Sequence, residues 1–177
     1  MKWYVVYVET SKESLVSLYL NKYFKQLDLR CFFPMRKVPE RVEGSFVEVV
    51  KPLFPGYVFV YAQMNPDLYT SINKIPRIFR ILRKGKYSRT DIDSYYTEID
   101  EKEIEPILGL VGNDGIIDYS QAIATDNEIV VTSGPLKGRE ELIKKINKRK
   151  MRAKIELNLL GAQCDIDVGL NIVNNSE

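Results

Sequence analysis

Apolar and polar residues alternate over the carboxyl-terminal part of the chain, and this pattern constrains the fold more than any other feature. In residues 153–159 and again in residues 164–168, every second side chain is apolar. A period of two puts the apolar side chains on one face of a strand, whereas in a helix polar residues would be spread around the whole surface. Short strands are predicted for residues 128–132, 140–146, 151–159 and 163–168. A small all-β barrel is the natural way to close such a set.

Positive charge is concentrated in the same region, although the whole chain has a net charge of only +2. The candidates for binding a polyanion are Lys144, Lys145, Lys148, Arg149, Lys150, Arg152 and Lys154. Residues 147–152 should project as a turn between two strands, where lysines offer point charges to phosphates and arginines offer a planar fork. A solvated face that only keeps the protein soluble is the alternative.

The amino-terminal part of the chain predicts a different architecture, a small α/β sandwich. Residues 2–9 are predicted to form a strand that is apolar on both faces and therefore central in its sheet. Thr10 and Glu13 fit a capping box that starts a helix running to about residue 27. The side chains expected to pack in the core from this helix are Leu15, Leu18, Tyr19 and Tyr23.

Proline and glycine residues mark the limits of the elements that follow. The predictions are a strand at residues 29–35, a projecting hairpin or loop at residues 36–45, and a strand at residues 46–51. Pro52 and Pro55 remove two backbone donors, so the chain is extended there and enters the sheet only from residue 57.

Two further helices complete this part. Asn65 as N-cap, with Pro66 in the first turn, predicts a helix that ends near residue 74. Asp100 starts a last short helix that contains Pro106, and residues 78–84 form a strand between the two. This order predicts a mostly antiparallel sheet with flanking helices. Residues 113–126 are polar and are interpreted as a linker, with a short strand at Ile116 and Ile117 as the alternative.

The composition removes most catalytic chemistry. The chain has no histidine, which is the commonest general base and metal ligand. No glycine-rich phosphate loop, nucleophile elbow or metal-ligand spacing is present, so we expect no cofactor and no enzymatic activity. Cys31 and Cys164 are expected to be reduced thiols of a cytoplasmic protein. No apolar run is long enough to span a membrane.

Two markers carry a family resemblance. The first is Trp-Tyr-Val-Val at residues 3–6 with Pro-Leu-Phe-Pro-Gly-Tyr-Val-Phe-Val at residues 52–60. The second is a KOW motif, Ile-Val-Val at residues 129–131 followed by a turn whose motif residues are Gly134, Pro135, Lys137 and Gly138. Together they resemble the NusG family of transcription elongation factors over essentially the whole chain.

The resemblance implies an α+β fold in two domains. Residues 1–112 would form a NusG-like domain with a mostly antiparallel sheet flanked by helices. Residues 113–126 would be the linker, and residues 127–177 would form a small SH3-like β-barrel, the KOW domain. The family's KOW loop usually continues with a second glycine, but Glu140 and Glu141 occupy that neighbourhood here.

The resemblance also implies function. The amino-terminal domain would bind the clamp of RNA polymerase through Trp3, Tyr4, Pro52, Phe54, Pro55, Gly56, Tyr57 and Phe59. For Trp3, Tyr57 and Phe59 a purely structural role in the core is the alternative. Arginines 77, 80 and 83 are candidates for contacting the non-template DNA strand, and a monomer is expected.

Within the family, residues 149–154 and 168–173 look most like the LoaP branch of RfaH-like specialised paralogs. This likeness implies processive antitermination, with the KOW domain binding an RNA hairpin in the leader. The alternative is a factor that couples transcription to translation, in which residues 157–168 bind a ribosomal protein and the basic turn is incidental.

Overall fold

The computed structural model describes residues 1–83, 96–124 and 129–174. It divides into two compact units. The first contains Met1–Phe33, Phe54–Ile104 and Leu159–Ala162, and the second contains Pro34–Leu53, Glu105–Asn158 and Gln163–Glu177. The predicted boundary between linker and KOW domain, at residues 126 and 127, lies outside the described residues, as does the end of the strand predicted for residues 78–84.

The described elements follow one another in a mixed order of strands and helices. They are β1 (Lys2–Val8), α1 (Glu13–Tyr23), β2 (Arg30–Phe32), β3 (Met35–Val42), β4 (Ser45–Pro52), β5 (Tyr57–Ala62), α2 (Pro66–Asn73), β6 (Ile78–Ile81), α3 (Glu101–Leu110), β7 (Ile116–Ile117), β8 (Ser120–Ala124), β9 (Ile129–Ser133), β10 (Ile143–Asn147), β11 (Arg152–Leu159) and β12 (Ala162–Asn174). Short 3₁₀ turns cover Lys25–Leu27, Glu140–Leu142 and Lys148–Lys150.

A four-stranded sheet in the order β2-β5-β1-β6 organises the first unit. β1 pairs antiparallel with β5 on one side and with β6 on the other, which confirms the prediction of a central strand. Tyr4, Val6 and Val8 point to one face of this sheet and pack in a buried cluster with Leu20 of α1 and Ile72 of α2. The alternate residues of β1 point to the opposite face.

Helix α1 differs from its prediction at both ends. Lys12 is the N-cap residue and no side chain caps the helix, so the predicted capping box of Thr10 and Glu13 is wrong. The Glu13 carboxylate is buried and accepts a hydrogen bond from the backbone N–H of Gly56 at 2.7 Å instead. The helix ends at Tyr23 and a 3₁₀ turn follows.

The predicted burial of α1 is also wrong for most of its large side chains. Leu15, Leu18 and Tyr23 are exposed, and Tyr19 is half-buried. The buried side chains of α1 are Glu13, Val16, Ser17 and Leu20.

The strand predicted for residues 29–35 is two strands in two sheets. Pro34 separates β2, which pairs with β5, from β3, which forms a hairpin with β4. Glu43 and Gly44 both have positive φ at the hairpin turn, as a type I′ turn requires. The predicted hairpin is therefore confirmed, and β7 adds to it as a parallel neighbour of β3.

Helix α2 and helix α3 form where the sequence predicts them. The Asn65 side chain accepts a hydrogen bond from the backbone N–H of Leu68 at 2.8 Å, which confirms the predicted N-cap. Helix α3 continues through Pro106.

The carboxyl-terminal strands form a five-stranded, curled half-barrel sheet in the order β10-β11-β12-β8-β9. Ala153, Ile155 and Leu157 are buried while the residues between them are not. The apolar residues of the alternating pattern therefore lie on one face of a strand, as predicted. Residues 113–126, predicted as a linker, contain β7 and β8. β8 lies inside this sheet because it pairs with β12 in parallel and with β9 antiparallel.

Candidate functional sites

Eight aromatic rings form a continuous row in the first unit, which we call the aromatic face: Trp3, Tyr7, Phe32, Phe54, Tyr57, Phe59, Tyr61 and Phe79. The register of the sheet brings them together, because Trp3 lies opposite Tyr61 and Tyr7 lies opposite Tyr57. Ring centroids lie 5.0 Å apart for Trp3 and Tyr61. They lie 5.9 Å apart for Tyr7 and Tyr57. Neighbouring rings therefore contact one another and hold one another in place.

Phe54 sits in the middle of this row. Its ring centroid is 5.7 Å from that of Phe59 and 6.4 Å from that of Tyr57, and it stacks on Tyr57. Phe59 is fully buried and Phe54 is 6% exposed, whereas the rings of Trp3 and Tyr57 are half-buried. The outer rings therefore offer the accessible area, and the inner rings support them.

The predicted polymerase-binding residues do not all lie on this face. Tyr4 lies on the opposite face of the sheet, in the cluster covered by α1 and α2. Burial and, to a lesser degree, Glu98 and Tyr96 raise the pKa of Tyr4 to about 12. Pro52 ends β4 in the second unit, and Pro55 is exposed beside the buried Gly56.

Four residues of this face are not among those predicted from sequence, Tyr7, Phe32, Tyr61 and Phe79, and the most exposed of them is Phe79. It is 60% exposed and its ring centroid is 5.1 Å from that of Tyr7. Local sequence patterns do not reveal Phe79, because it lies in a short strand of mixed apolar and basic residues whose faces cannot be assigned without the register. Next to it, Arg80 is exposed, whereas Arg77 pairs with Glu9 at 2.6 Å.

A buried carboxylate fixes the loop that precedes β5. Gly56 has a φ of 81° and its Cα faces Tyr7 and the carbonyl of Val8, where an added Cβ would lie 3.2 Å from both. The N–H of Gly56 donates to Glu13, and the N–H of Val8 donates to the Gly56 carbonyl at 2.7 Å. Helix α1 and strand β1 thus determine where the loop places Phe54 and Tyr57.

Replacing Glu13 by alanine should destabilise the protein by roughly 1–3 kcal/mol, because a buried backbone N–H loses its acceptor. Ser14→Ala is the matched control, since Ser14 is exposed in the same helical turn. Chemical denaturation followed by circular dichroism measures both. Equal stability of the two variants would show that the hydrogen bond to Gly56 contributes nothing.

The second candidate surface is basic and lies on the hairpin of β10 and β11. Asn147 caps the 3₁₀ turn by accepting from the N–H of Lys150 at 2.9 Å, and Met151 takes a left-handed conformation before β11 begins. Lys148, Arg149 and Lys150 are all exposed on this turn. The predicted projecting turn is therefore confirmed.

Lysines also face each other across the two strands. Lys145 lies directly opposite Lys154 in the register of β10 and β11. Opposed side chains in a sheet have Cβ atoms about 5 Å apart, and like charges there are destabilising. We call Lys145, Lys148, Arg149, Lys150 and Lys154 the basic surface. None of the five forms an ion pair with another described residue.

Two of the predicted polyanion-binding residues are engaged elsewhere in the second unit. Lys144 pairs with Glu156 and with Asp165, the latter at 3.2 Å, and these carboxylates hold the pKa of its ammonium group above the usual value. The guanidinium of Arg152 donates to the Pro39 carbonyl and lies 3.4 Å from Asp167. The structure therefore separates them from the basic surface.

The turn after β9 is built on β8. Gly134 has a φ of 90°, and a Cβ there would lie 2.6 Å from the Cα of Ser120 and 2.7 Å from the carbonyl of Tyr119. The buried Ser120 hydroxyl accepts a hydrogen bond from the N–H of Leu136 at 2.9 Å. Pro135 and Lys137 flank Leu136 in this turn, and the N–H of Gly138 donates to the Glu140 side chain. The residues of the predicted KOW motif thus shape the turn that follows β9.

The family described as "Transcription termination factor nusG" matches residues 1–108 of the chain, which is more than half of its 177 residues. This protein belongs to the NusG family. Proteins of this family are transcription factors and not enzymes, so this protein is a transcription factor. In the described part of the chain, no helix combines the length and the apolar content needed to cross a bilayer.

The relatives of this NusG-family protein are distant but match over nearly their whole length. It is 22% identical to the transcription termination/antitermination protein NusG of Haemophilus influenzae, over 94% of this chain and 90% of that protein. It is 23% identical to the protein of the same name from Halalkalibacterium halodurans, over 94% of this chain and 93% of that protein. A solved structure of Thermotoga maritima NusG has a similar fold, with a TM-score of 0.53, 20% identity and coverage of 96% and 93%.

Proposed function

We propose that this protein is a processive antitermination factor, a specialised NusG paralog most like LoaP. In this proposal the aromatic face binds RNA polymerase and the basic surface binds an RNA hairpin in the leader of the transcript. We also propose that residues 1–112 and residues 127–177 form two domains and that each domain carries one of these surfaces. Binding both partners at once raises the effective concentration of each for the other. The single observation that carries the RNA part is the basic surface, where five cations have no carboxylate partner among the described residues.

The arrangement of charge supports a polyanion ligand. Lys145 and Lys154 are kept directly opposed at a cost in stability, while carboxylates neutralise Lys144 and Arg152 nearby. A surface that served solubility alone would gain nothing from like charges in register. A phosphate backbone relieves this repulsion, because each cation then pairs with a phosphate.

The same surface favours phosphate contacts over stacking on bases. The chain has no aromatic residue after Tyr119, and proteins that bind single-stranded nucleic acids stack bases on aromatic rings. We therefore expect the folded hairpin, with its regularly spaced phosphates, to bind better than the same RNA unfolded.

RNA binding is tested by changing Lys145 and Lys154 together to glutamine. We expect the affinity for a leader hairpin to fall at least about tenfold, and the slope of log K against log salt to lose roughly 0.7–0.9 per lost phosphate contact. Electrophoretic shift assays with the full chain at several salt concentrations give both numbers. The stability of the variant should stay equal or rise by about 0.2–1 kcal/mol, since a like-charge pair is removed.

The matched control changes Lys22 and Lys25 of the first unit to glutamine, which alters the net charge equally. Both residues are exposed. If this control weakens RNA binding as much as the Lys145 and Lys154 change does, the basic surface is not the site. In that case the alternative gains support, a KOW domain that binds a ribosomal protein.

The polymerase part of the proposal rests on the aromatic face. The exposed ring of Phe79 and the half-buried rings beside it are held by neighbouring rings, so they provide apolar contact area at little entropy cost. Pro52 and Pro55, which precede and follow Phe54, restrict the backbone of the loop and so also lower the entropy cost of binding. Arg80, exposed beside Phe79 on β6, is our candidate for the non-template DNA, because Arg77 is already paired.

Phe79→Ala should weaken retention on purified RNA polymerase by at least about tenfold, as expected for an exposed aromatic anchor. Stability should change little, because the ring is mostly in solvent. Phe46→Ala is the control, since Phe46 is 46% exposed in the second unit. Unchanged retention of the Phe79 variant would remove this residue from the interface.

A further inference from the structure

Helix α1 presents apolar side chains to solvent that neither proposed surface uses. Leu18 is 62% exposed, Tyr23 is 68% exposed, and Leu27 in the following 3₁₀ turn is 54% exposed. Leu15 is exposed as well. Single exposed apolar residues are common on protein surfaces, but a contiguous group marks an interaction site.

Helical geometry places two of these residues, Leu15 and Leu18, in one strip with Lys22. At about 100° per residue, Leu15, Leu18 and Lys22 fall within one narrow sector of the helix. Val16 and Leu20 lie on the opposite side and are fully buried. The strip of Leu15, Leu18 and Lys22 thus runs along the outward face of α1. Tyr23 lies about 140° from Leu18 around the helix, and Leu27 follows the end of the helix.

Positive charges outnumber negative ones near the strip. Lys22 lies within it, and Lys12 and Lys25 precede and follow it in sequence. Of the nearest acids, Glu13 is 3% exposed and bonds to Gly56, Glu9 pairs with Arg77, and Asp28 lies 3.9 Å from Arg30. The outward face of α1 therefore combines exposed leucines with cationic side chains.

We propose that the outward face of α1 is a docking site for an amphipathic helix of a partner protein, with leucine-type side chains on its apolar face and carboxylates along both edges. Such a helix covers Leu15 and Leu18 and pairs its acids with Lys22 and Lys25. A second copy of this chain fits less well, because its own lysines would meet the same lysines.

A designed peptide tests this site directly. The probe is an amphipathic helix of about 18 residues with leucine on one face and glutamate on both flanks, labelled for fluorescence anisotropy. A second peptide carries lysine in place of every glutamate. The full chain should bind the acidic peptide at least about tenfold more tightly than the basic peptide.

Variants of the full chain locate the binding. Leu18→Glu should reduce affinity for the acidic peptide at least about tenfold, because it places a charge at the centre of the strip. Leu108→Glu is the control, since Leu108 is a 40% exposed leucine on α3 and should leave binding unchanged. Leu18 is not in the buried cluster, so neither variant should unfold the protein.

Three results would overturn the proposal. The first is equal binding of the two peptides, or binding that Leu18→Glu does not affect. The second is concentration-dependent dimerisation in sedimentation that Leu18→Glu abolishes, which would assign the strip to a second copy. The third is binding to phosphatidylserine vesicles without binding to the acidic peptide, which would assign it to a membrane surface.

Discussion

Gly134→Ala is expected to destabilise the second unit by about 2–4 kcal/mol, since it combines a steric overlap with a backbone conformation unfavourable to L residues. The added Cβ would lie 2.6 Å from the Cα of Ser120. That neighbour is backbone of β8 and cannot rotate away. Relieving the overlap means separating the turn from β8 and weakening the hydrogen bond of Leu136 to Ser120. Thermal unfolding followed by circular dichroism measures the loss.

Gly138→Ala is the matched control within the same turn. Gly138 also has a positive φ, 76°, but a Cβ there meets nothing within 4 Å. We expect a cost of about 1 kcal/mol from the backbone conformation alone. Equal losses for the two variants would contradict the close approach of the turn to β8.

Removing all five charges of the basic surface should have the largest effect on function. Changing Lys145, Lys148, Arg149, Lys150 and Lys154 to glutamine is expected to lower the affinity for a leader hairpin on the order of a thousandfold at moderate salt. The fold should persist, because these side chains are outside the core and the cap at Lys150 uses its backbone N–H. Electrophoretic shift assays measure the affinity and circular dichroism confirms the fold.

Lys144→Gln provides a contrast to that variant. Its ammonium group already pairs with Glu156 and Asp165, so it contributes no unpaired charge to the RNA. The change exposes two carboxylates and should weaken binding only a few-fold through their repulsion, because exposed charges are strongly screened by solvent. A loss as large as that of the five-residue variant would mean that Lys144 contacts the RNA directly.

Local sequence signals predicted the elements that depend on local physics. The Asn65 cap, the hairpin after Pro34 and the alternation in β11 all follow from interactions between residues near in sequence. Each involves a hydrogen bond, a turn or a strand face that a short window of sequence determines.

Contacts between distant residues account for what could not be predicted. Glu13 has the position of a capping residue but bonds to Gly56, 43 residues away. In the sequence, Lys144 and Arg152 belong to the basic cluster, but the fold places Asp165 beside Lys144 and Asp167 beside Arg152. Strand β8 looks like a linker because its partners are β9 and the distant β12.

For the aromatic face and the basic surface, too, local sequence predicted one part and contacts between distant residues determined the other. The dense run of cations marked the basic surface, but only the register revealed that Lys145 opposes Lys154. The marker around Phe54 located part of the aromatic face, but its extent to Phe79 and the separation of Tyr4 depend on strand pairing. Sequence therefore indicated where to look, and the fold determined which side chains act together.

One measurement tests the central claim most directly: read-through of an intrinsic terminator in single-round transcription with purified RNA polymerase. Two templates are compared, one encoding a leader hairpin and one encoding the same leader with the stem scrambled. The proposal predicts that this protein raises read-through only on the hairpin template, and that the variant lacking the five basic charges does not. Equal read-through on both templates, or full activity of that variant, would contradict it.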